Sequence, residues 1–144
     1  MLLGEYNHAL DDKNRLTLPV KFKSELGKKI VVTRGLDSSL FVYSQKEWKI
    51  ITEKLSGLSM TDATSRGFSR FFLAGAAELE LDKAGRMLVP EHLKDFANLG
   101  KDVVLTGVQS RVELWDAKVW KSYSTKMEKD GDTMASKLGE IGVL

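Results

Sequence analysis

The sequence contains no cysteine, two histidines and only two prolines among its 144 residues. Without cysteine the chain can form neither a disulfide framework nor a thiolate metal site. No apolar run approaches the roughly 20 residues that a membrane-spanning helix needs. The first ten residues lack the basic flank and long apolar core of a signal peptide. We therefore expect a cytoplasmic protein with no membrane partner.

The sequence also lacks the common catalytic signatures, namely a glycine-rich phosphate loop, an H-E-x-x-H pattern and a nucleophile elbow. His8 falls in a predicted strand, and His92 follows Glu91 in a short predicted helix, where a hydrogen-bonded or solvent-facing imidazole is more common than a catalytic one. Glu78 and Glu80 alternate along a strand, as on a solvated face. No cluster of three or four metal ligands appears. We expect a protein that is not an enzyme, with no cofactor and no small-molecule substrate; a small hydrolase is the least favoured alternative.

The two prolines end two copies of one short motif, DDKNRLTLP at 11–19 and DKAGRMLVP at 82–90. In both, an Asp and an Arg stand four residues apart, a turn-forming residue precedes the Arg, and an apolar run ends in Pro. The matched pairs, each 71 residues apart, are Asp11/Asp82, Asn14/Gly85, Arg15/Arg86 and Pro19/Pro90. This repetition indicates an internal duplication.

The duplication continues downstream, where residues 29–49 align with residues 101–121 after a one-residue insertion. Identities occur at Val31/Val103, Val32/Val104, Gly35/Gly107, Ser38/Ser110, Lys46/Lys118, Trp48/Trp120 and Lys49/Lys121. Unrelated segments of average composition would share only about one or two. A unit of this length rarely folds alone. We therefore expect the two copies to complete each other's core.

Each copy shows the same order of local signals. Residues 4–10 and 16–18 are predicted to form a hairpin whose loop needs a left-handed residue, a role that Asn14 and Gly85 accept easily. A short helix follows each proline, and residues 30–34 and 39–43 are predicted to pair as a second hairpin.

Helices are predicted after each second hairpin. Ser44 opens the first of them with an S-x-x-E capping pattern, and Asp116 caps its counterpart. A further helix from about residue 61 carries three phenylalanines on one broad side. We interpret residues 130–144, with three glycines, as a frayed helix or mobile tail.

The net charge is only +2, so its distribution matters more than its size. Residues 11–34 hold seven basic and three acidic side chains, whereas residues 82–106 hold four of each. A lysine-rich solvated face and a nucleic-acid surface both fit this surplus.

The arginine after each turn is the candidate functional side chain. We expect Asp11 to lie beside Arg15, and Asp82 beside Arg86, across each hairpin. A surface ion pair worth about 0–1 kcal/mol is one interpretation. In the other, the carboxylate orients a guanidinium to bind phosphate or the O6/N7 edge of guanine. Both stay open at this point.

Three segments, GEYNHALDDKNRLTLP, ELDKAGRMLVPEHLKDFA and VVLTGVQSRVELWDAKVW, resemble the MraZ family over roughly residues 1–125. The resemblance implies an α+β, mainly β fold of two tandem swapped-hairpin (SpoVT-AbrB-like) units that form an intrachain pseudo-dimer barrel. The predicted divisions are 1–47 for repeat 1, 48–75 for connecting helices, 76–119 for repeat 2, and 120–144 for a C-terminal helix and tail.

The resemblance also implies a function, that of a DNA-binding transcriptional regulator of the bacterial division and cell-wall gene cluster. Members of this family bind short G-rich direct repeats in the promoter of their own operon as a homo-oligomeric ring, which implies a cytoplasmic, nucleoid-associated protein. The implied DNA-binding residues are Arg15, Arg86, Lys13, Lys83, Asn14 and Gly85, with Asp11 and Asp82 as orienting groups. Asn14 departs from the common pattern, which has Gly there.

Because the basic surplus lies in the first copy, we expect Arg15 to be the main reader of DNA and Arg86 a weaker one. A ring that presents the turn repeatedly could raise avidity about 10²- to 10⁴-fold. The alternative is a ring-forming protein scaffold that does not recognise DNA. In that case the tryptophans and phenylalanines would be interface anchors, although core packing is the more common role for them.

Overall fold

A computed structural model describes all 144 residues as eight strands and five helices. The strands are β1 (Leu2–Ala9), β2 (Arg15–Thr17), β3 (Lys29–Arg34), β4 (Leu40–Ser44), β5 (Ala77–Glu80), β6 (Arg86–Leu88), β7 (Asp102–Gln109) and β8 (Arg111–Asp116). The helices are α1 (Val20–Leu26), α2 (Gln45–Ser56), α3 (Ala63–Ala74), α4 (Glu91–Phe96) and α5 (Ala117–Glu140).

The two copies exchange strands, which confirms the swapped architecture. Six antiparallel strands form one sheet in the order β1-β7-β8-β4-β3-β5, and β2 pairs with β6 in a separate ribbon. The first strand of each copy, β1 or β5, therefore pairs with the other copy's β7 or β3. Neither copy could form its half of the sheet alone.

Two details of the predicted topology are wrong. β1 and β2 do not pair as a hairpin. β1 pairs with β7 at the edge of the large sheet, whereas β2 pairs with β6 in the separate ribbon. Turn chemistry reports a chain reversal but not which strand becomes the partner. The sheet is also open, with β1 and β5 at opposite edges, so no closed barrel forms.

The inner face of the sheet packs against the ribbon and the short helices α1 and α4. Twenty buried residues form this core, among them Ile30, Val32 and Leu105 from the sheet and Leu16 and Met87 from the ribbon. Each fully buried large aliphatic side chain contributes about 1.5–3 kcal/mol. This core holds the ribbon in place with its outer surface free.

The outer face of the sheet carries the other three helices. Phe41, Tyr43 and Phe72 form a second buried cluster where α2 and α3 cover β3 and β4. Trp115 lies at the matching place under α5 and is 2% exposed. Alternate residues along each strand therefore contribute to two separate buried clusters, one on each face of the sheet.

The strand register corrects the alignment of the two copies. Leu79 pairs with Ile30, and its equivalent in the first copy, His8, pairs with Val103. Ile30 therefore corresponds to Val103, one position away from the Val31/Val103 match in the sequence. This shift of one residue is confined to the first strand of each pair, because the connecting turns differ in length. Five residues separate β3 from β4, whereas Ser110 alone separates β7 from β8.

The predicted helix caps are confirmed. The Ser44 hydroxyl accepts a hydrogen bond from the Glu47 N–H, and the Asp116 carboxylate caps α5. At the end of the chain, α5 continues through Gly131 and Gly139 as one 24-residue helix to Glu140, and residues 141–144 follow it outside the helix. No helix combines the length and apolar character needed to cross a membrane.

Candidate nucleic-acid interface

The first turn is built around the carboxylate of Asp11. Its Oδ1 accepts hydrogen bonds from the backbone N–H groups of Lys13 (2.9 Å) and Arg15 (2.8 Å). Its Oδ2 accepts one from Arg15 Nε at 2.7 Å. The backbone N–H of Asn14 also donates to the Asp11 carbonyl at 3.0 Å. The Asp11 N–H donates to the Arg15 carbonyl at 3.0 Å, so the two residues lie opposite each other at the base of the turn, as predicted.

The second turn repeats this geometry. Asp82 Oδ1 accepts from the N–H groups of Ala84 and Arg86, both at 2.9 Å, and Oδ2 accepts from Arg86 Nε at 2.7 Å. Asn14 has φ of 59° and Gly85 has φ of 73°, which confirms the predicted left-handed residue in each turn. Asparagine and glycine both adopt this conformation at low cost.

The hydrogen bonds also keep both aspartates ionised. The backbone N–H of Arg15, together with its guanidinium and the N–H of Lys13, holds the pKa of Asp11 below its usual value of 3.8. The N–H of Arg86, its guanidinium and the N–H of Ala84 lower the pKa of Asp82 in the same way. Each carboxylate therefore remains a fixed acceptor at neutral pH.

Each arginine keeps part of its guanidinium available. Within the chain, the guanidinium of Arg15 or Arg86 hydrogen-bonds only through Nε, which leaves the two Nη groups unpaired. The side chains are 31% and 33% exposed. A guanidinium oriented through Nε and open at Nη can form the bidentate contacts that phosphate and the guanine edge offer.

The ribbon carries the two turns at its opposite ends, since Val89 hydrogen-bonds to Asn14 and Leu18 to Gly85. Leu16 pairs with Met87, which are equivalent positions in the two copies, so a pseudo-twofold axis passes between them. Arg15 pairs with Leu88 and is thus a diagonal neighbour of Arg86, which places their Cα atoms about 7–8 Å apart. A two-stranded antiparallel ribbon is narrow enough to enter the major groove.

Two lysines that the sequence analysis missed lie against the turns. Lys94 Nζ donates a hydrogen bond to Asn14 Oδ1 at 2.9 Å. Lys23, its equivalent on α1, lies over Gly85, where an added Cβ would come within 2.6 Å of the lysine Nζ. Each helix thus supplies a lysine to the other copy's turn. Lys23 and Lys94 each lie four residues after a proline, so the repeat could have identified them as equivalent residues. Which turn each lysine approaches depends on the strand exchange, which the repeat does not reveal.

The predicted loop lysines, Lys13 and Lys83, are both exposed but are not equivalent. Lys83 occupies the position of Asp12, and Lys13 that of Ala84. The second turn is therefore the more positive of the two. The basic surplus of the first copy does not concentrate around Arg15, because Lys23 from that copy lies at the second turn. The premise for a dominant Arg15 is not met in the fold.

The other polar candidates have structural contacts. His92 Nε2 hydrogen-bonds with the Gly75 carbonyl at 3.0 Å, and Glu80 pairs with Lys28 at 3.1 Å. His8 is half-buried in β1. No group of three or more potential metal ligands is present. The side chains that converge on one exposed surface are those of the two turns and their lysines.

Comparisons with known proteins agree on one family. A family model described as "MraZ protein, putative antitoxin-like" matches residues 1–71 and again residues 72–138. A relative from Caldanaerobacter subterraneus subsp. tengcongensis is 48% identical over 99% of this chain and 100% of its own length. Relatives from Acetivibrio thermocellus and Clostridium tetani are 46% and 43% identical over the same shares. All three carry the name "Transcriptional regulator MraZ", which does not describe an enzyme class.

Proposed function

The chain belongs to the MraZ family, and from that premise we propose that it is a sequence-specific DNA-binding transcriptional regulator that reads duplex DNA with its two D-x-x-x-R turns. The observation that carries the proposal is the pair of matched turns, each with a guanidinium fixed through Nε and open at Nη. Both arginines neighbour a buried residue of the ribbon, Leu16 or Met87, and belong to its exposed face, so both are available to one bound duplex.

Each residue of the turns has a specific part in the proposed recognition. Arg15 and Arg86 contact guanine O6/N7 or phosphate, while Asp11 and Asp82 fix the guanidinium planes before DNA arrives. Asn14 and Gly85 give the backbone its reversal and let it approach the duplex closely. Lys13 and Lys83 contact phosphates, which position the protein without reading sequence.

Lys23 and Lys94 extend the same surface. Both lie half-buried beside a turn, so they are held near the DNA with their charge available. Together with the turn residues they concentrate six cationic side chains around the pseudo-twofold axis. This local density explains how a chain of net charge +2 could bind a polyanion.

The targets that we propose are short G-rich direct repeats in the promoter of the operon that includes the protein's own gene, within the division and cell-wall gene cluster. We further propose that the chain forms a homo-oligomeric ring on the nucleoid, in the cytoplasm. Repeated turns on a ring match repeated sites on DNA, and the later contacts become intramolecular, which raises avidity about 10²- to 10⁴-fold. We expect no catalytic activity.

Titration of the promoter fragment against a scrambled fragment at fixed salt tests this function. We expect saturable, sequence-dependent binding. The logarithm of the binding constant should fall linearly with the logarithm of the salt concentration. The double variant Arg15→Ala/Arg86→Ala should abolish the preference for the promoter, whereas Lys46→Ala, an exposed cation on α2, should bind as the wild type does. A double variant that still prefers the promoter would contradict the proposal. Wild-type protein that binds neither fragment would favour the scaffold alternative.

A further inference from the structure

The ribbon turns four side chains outward, and two of them have no part in the recognition proposed above. The middle residues of its two strands, Leu16 and Met87, are fully buried. Because side chains alternate along a strand, the residues on either side of them point outward. The outward set is Arg15 and Thr17 on β2 with Arg86 and Leu88 on β6. A duplex that binds the ribbon meets all four.

Leu88 and Thr17 hold equivalent positions in the two copies but differ in chemistry. Arg15 pairs across the ribbon with Leu88, whereas Arg86 pairs with Thr17. The matched geometry of the turns therefore does not extend to these neighbours. One arginine lies beside an apolar side chain, and the other lies beside a hydroxyl.

The ladder brings Leu88 close to Arg15. The next pair along the ribbon, Asn14 and Val89, shares a hydrogen bond from the Val89 N–H to the Asn14 carbonyl at 2.9 Å. Because hydrogen-bonded and non-hydrogen-bonded pairs alternate, Arg15 and Leu88 form a non-hydrogen-bonded pair, with Cα atoms about 4.5 Å apart. Successive bases of one DNA strand rise by about 3.4 Å. A leucine at this spacing reaches the base pair that adjoins the guanine bound by the arginine.

Leu88 is 57% exposed at this place. A single exposed leucine is ordinary on a protein surface, so its exposure alone carries no meaning. Its neighbour gives it one, because Asp11 holds Arg15 through Nε at 2.7 Å. A guanine bound by that fixed guanidinium determines where the adjoining base pair lies relative to the leucine. The leucine therefore meets the same base position in every complex.

Thymine is the base that offers an apolar group on its major-groove edge. Its C5-methyl group lies there, whereas adenine, guanine and cytosine are read through hydrogen-bond donors and acceptors. A leucine that covers those polar groups leaves them without partners, which costs free energy. Leu88 should thus favour thymine over the other three bases. Thr17 has a hydroxyl that both donates and accepts hydrogen bonds, so it accommodates more than one base.

We propose that Leu88 reads a thymine next to the guanine bound by Arg15, through apolar contact with the thymine methyl group. Thymine is then selected at one end of the contacted sequence and not at the end read by Arg86. This difference gives the pseudo-symmetric ribbon a direction on DNA, which suits repeats that all point the same way. The inference rests on the DNA recognition proposed above and names a base that the same surface reads.

Selection of bound duplexes from a random library tests the inference without assuming a promoter sequence. The wild type is compared with Leu88→Ser and with Leu58→Ser, the same change at an exposed leucine between α2 and α3. We expect wild-type and Leu58→Ser sites to hold thymine beside one guanine. Leu88→Ser should lose this preference by about fourfold, which corresponds to the burial of one methyl-sized group. Circular dichroism confirms that each variant is folded.

Replacing the selected thymine with uracil gives the sharper result, because only the methyl group is removed. Wild-type affinity should fall about fourfold, whereas Leu88→Ser should bind both duplexes with nearly the same affinity. A duplex with uracil in place of a thymine outside the selected sequence is the control. Arg15→Ala should abolish the thymine preference together with its guanine, and Arg86→Ala should retain thymine beside the remaining guanine.

The outcomes separate this inference from the function on which it rests. If the wild type selects guanine without a neighbouring thymine, or if Leu88→Ser is as sensitive to uracil as the wild type, the assignment to Leu88 is wrong while recognition by the turns stands. A thymine preference that disappears with Arg86 instead of Arg15 would contradict the assigned pairing. If the wild type selects no sequence at all, the inference and the proposed function fall together.

Discussion

The two turns share one geometry but differ in the lysine that covers them. Lys94 Nζ donates a hydrogen bond to Asn14 Oδ1, whereas the Lys23 side chain lies over Gly85 without a hydrogen bond. The first turn also carries Asp12 where the second has Lys83. Duplication has thus preserved the arginine and its orienting aspartate, while the surrounding charge has diverged toward a more positive second turn.

The largest expected effect is the loss of either arginine. Arg15→Ala and Arg86→Ala should each weaken promoter binding by about 1–3 kcal/mol per lost base contact. The charge count along the sequence predicts the greater loss for Arg15, whereas the matched geometry predicts equal losses. Titrations of the single variants at one salt concentration distinguish these expectations. A greater loss for Arg86 would show that the local charge of the second turn dominates.

The left-handed residue gives the next comparison. Gly85→Val should lower the free energy of unfolding by about 1–2 kcal/mol, because a β-branched residue is strained at φ of 73°. Gly85→Asn should be close to neutral for folding, since Asn14 already adopts this conformation, although Lys23 must move aside. Chemical denaturation of the two variants measures the difference, and equal losses would contradict this account of the turn.

Thr33 and Thr106 offer a third comparison, on the opposite layer. Thr33→Val should cost about 1 kcal/mol of stability because it removes the hydrogen bond to Phe72. Thr106→Val removes a hydroxyl with no partner in the chain and should leave the unfolding free energy unchanged or raise it. Both are measured by chemical denaturation at the same protein concentration as the wild type. A comparable loss at Thr106 would show that its hydroxyl is satisfied within one chain.

The smallest effect is that of pH. Lowered pKa values for Asp11 and Asp82 mean that both ion pairs are fully formed above the ordinary value of 3.8 and are lost only as pH falls through the lower folded values. Promoter affinity should therefore show no contribution from these carboxylates between pH 8 and pH 5. Titration at several pH values and constant ionic strength checks this, with Asp82→Asn as the control that removes one carboxylate at every pH.

Local features of this chain could be predicted from sequence because neighbouring residues determine them. The D-x-x-x-R turns, the left-handed Asn14 and Gly85, and the caps at Ser44 and Asp116 each depend on side chains within four positions. The partners of β1 and β2 could not, since a hairpin and an exchanged strand have the same turn and the same alternation.

The missed parts of the site follow from that exchange. Lys23 belongs to the first copy in sequence and to the second turn in space, so a count of charge along the chain assigns it to the wrong arginine. The Thr33/Thr106 equivalence was hidden by a one-residue shift that two turns of different length compensate. Both became visible only once the strand register was known.

The most direct test of DNA reading by the turns replaces guanines of the promoter repeats with 7-deazaguanine, which removes the N7 acceptor and leaves the rest of the base in place. Affinity is measured for wild-type protein and for Arg15→Ala and Arg86→Ala on both DNAs. We predict that the replacement weakens wild-type binding by about 1–3 kcal/mol per contact and has little further effect on the variant that already lacks the contacting arginine. Losses that simply add in every combination would contradict the central claim that these guanidinium groups read guanine.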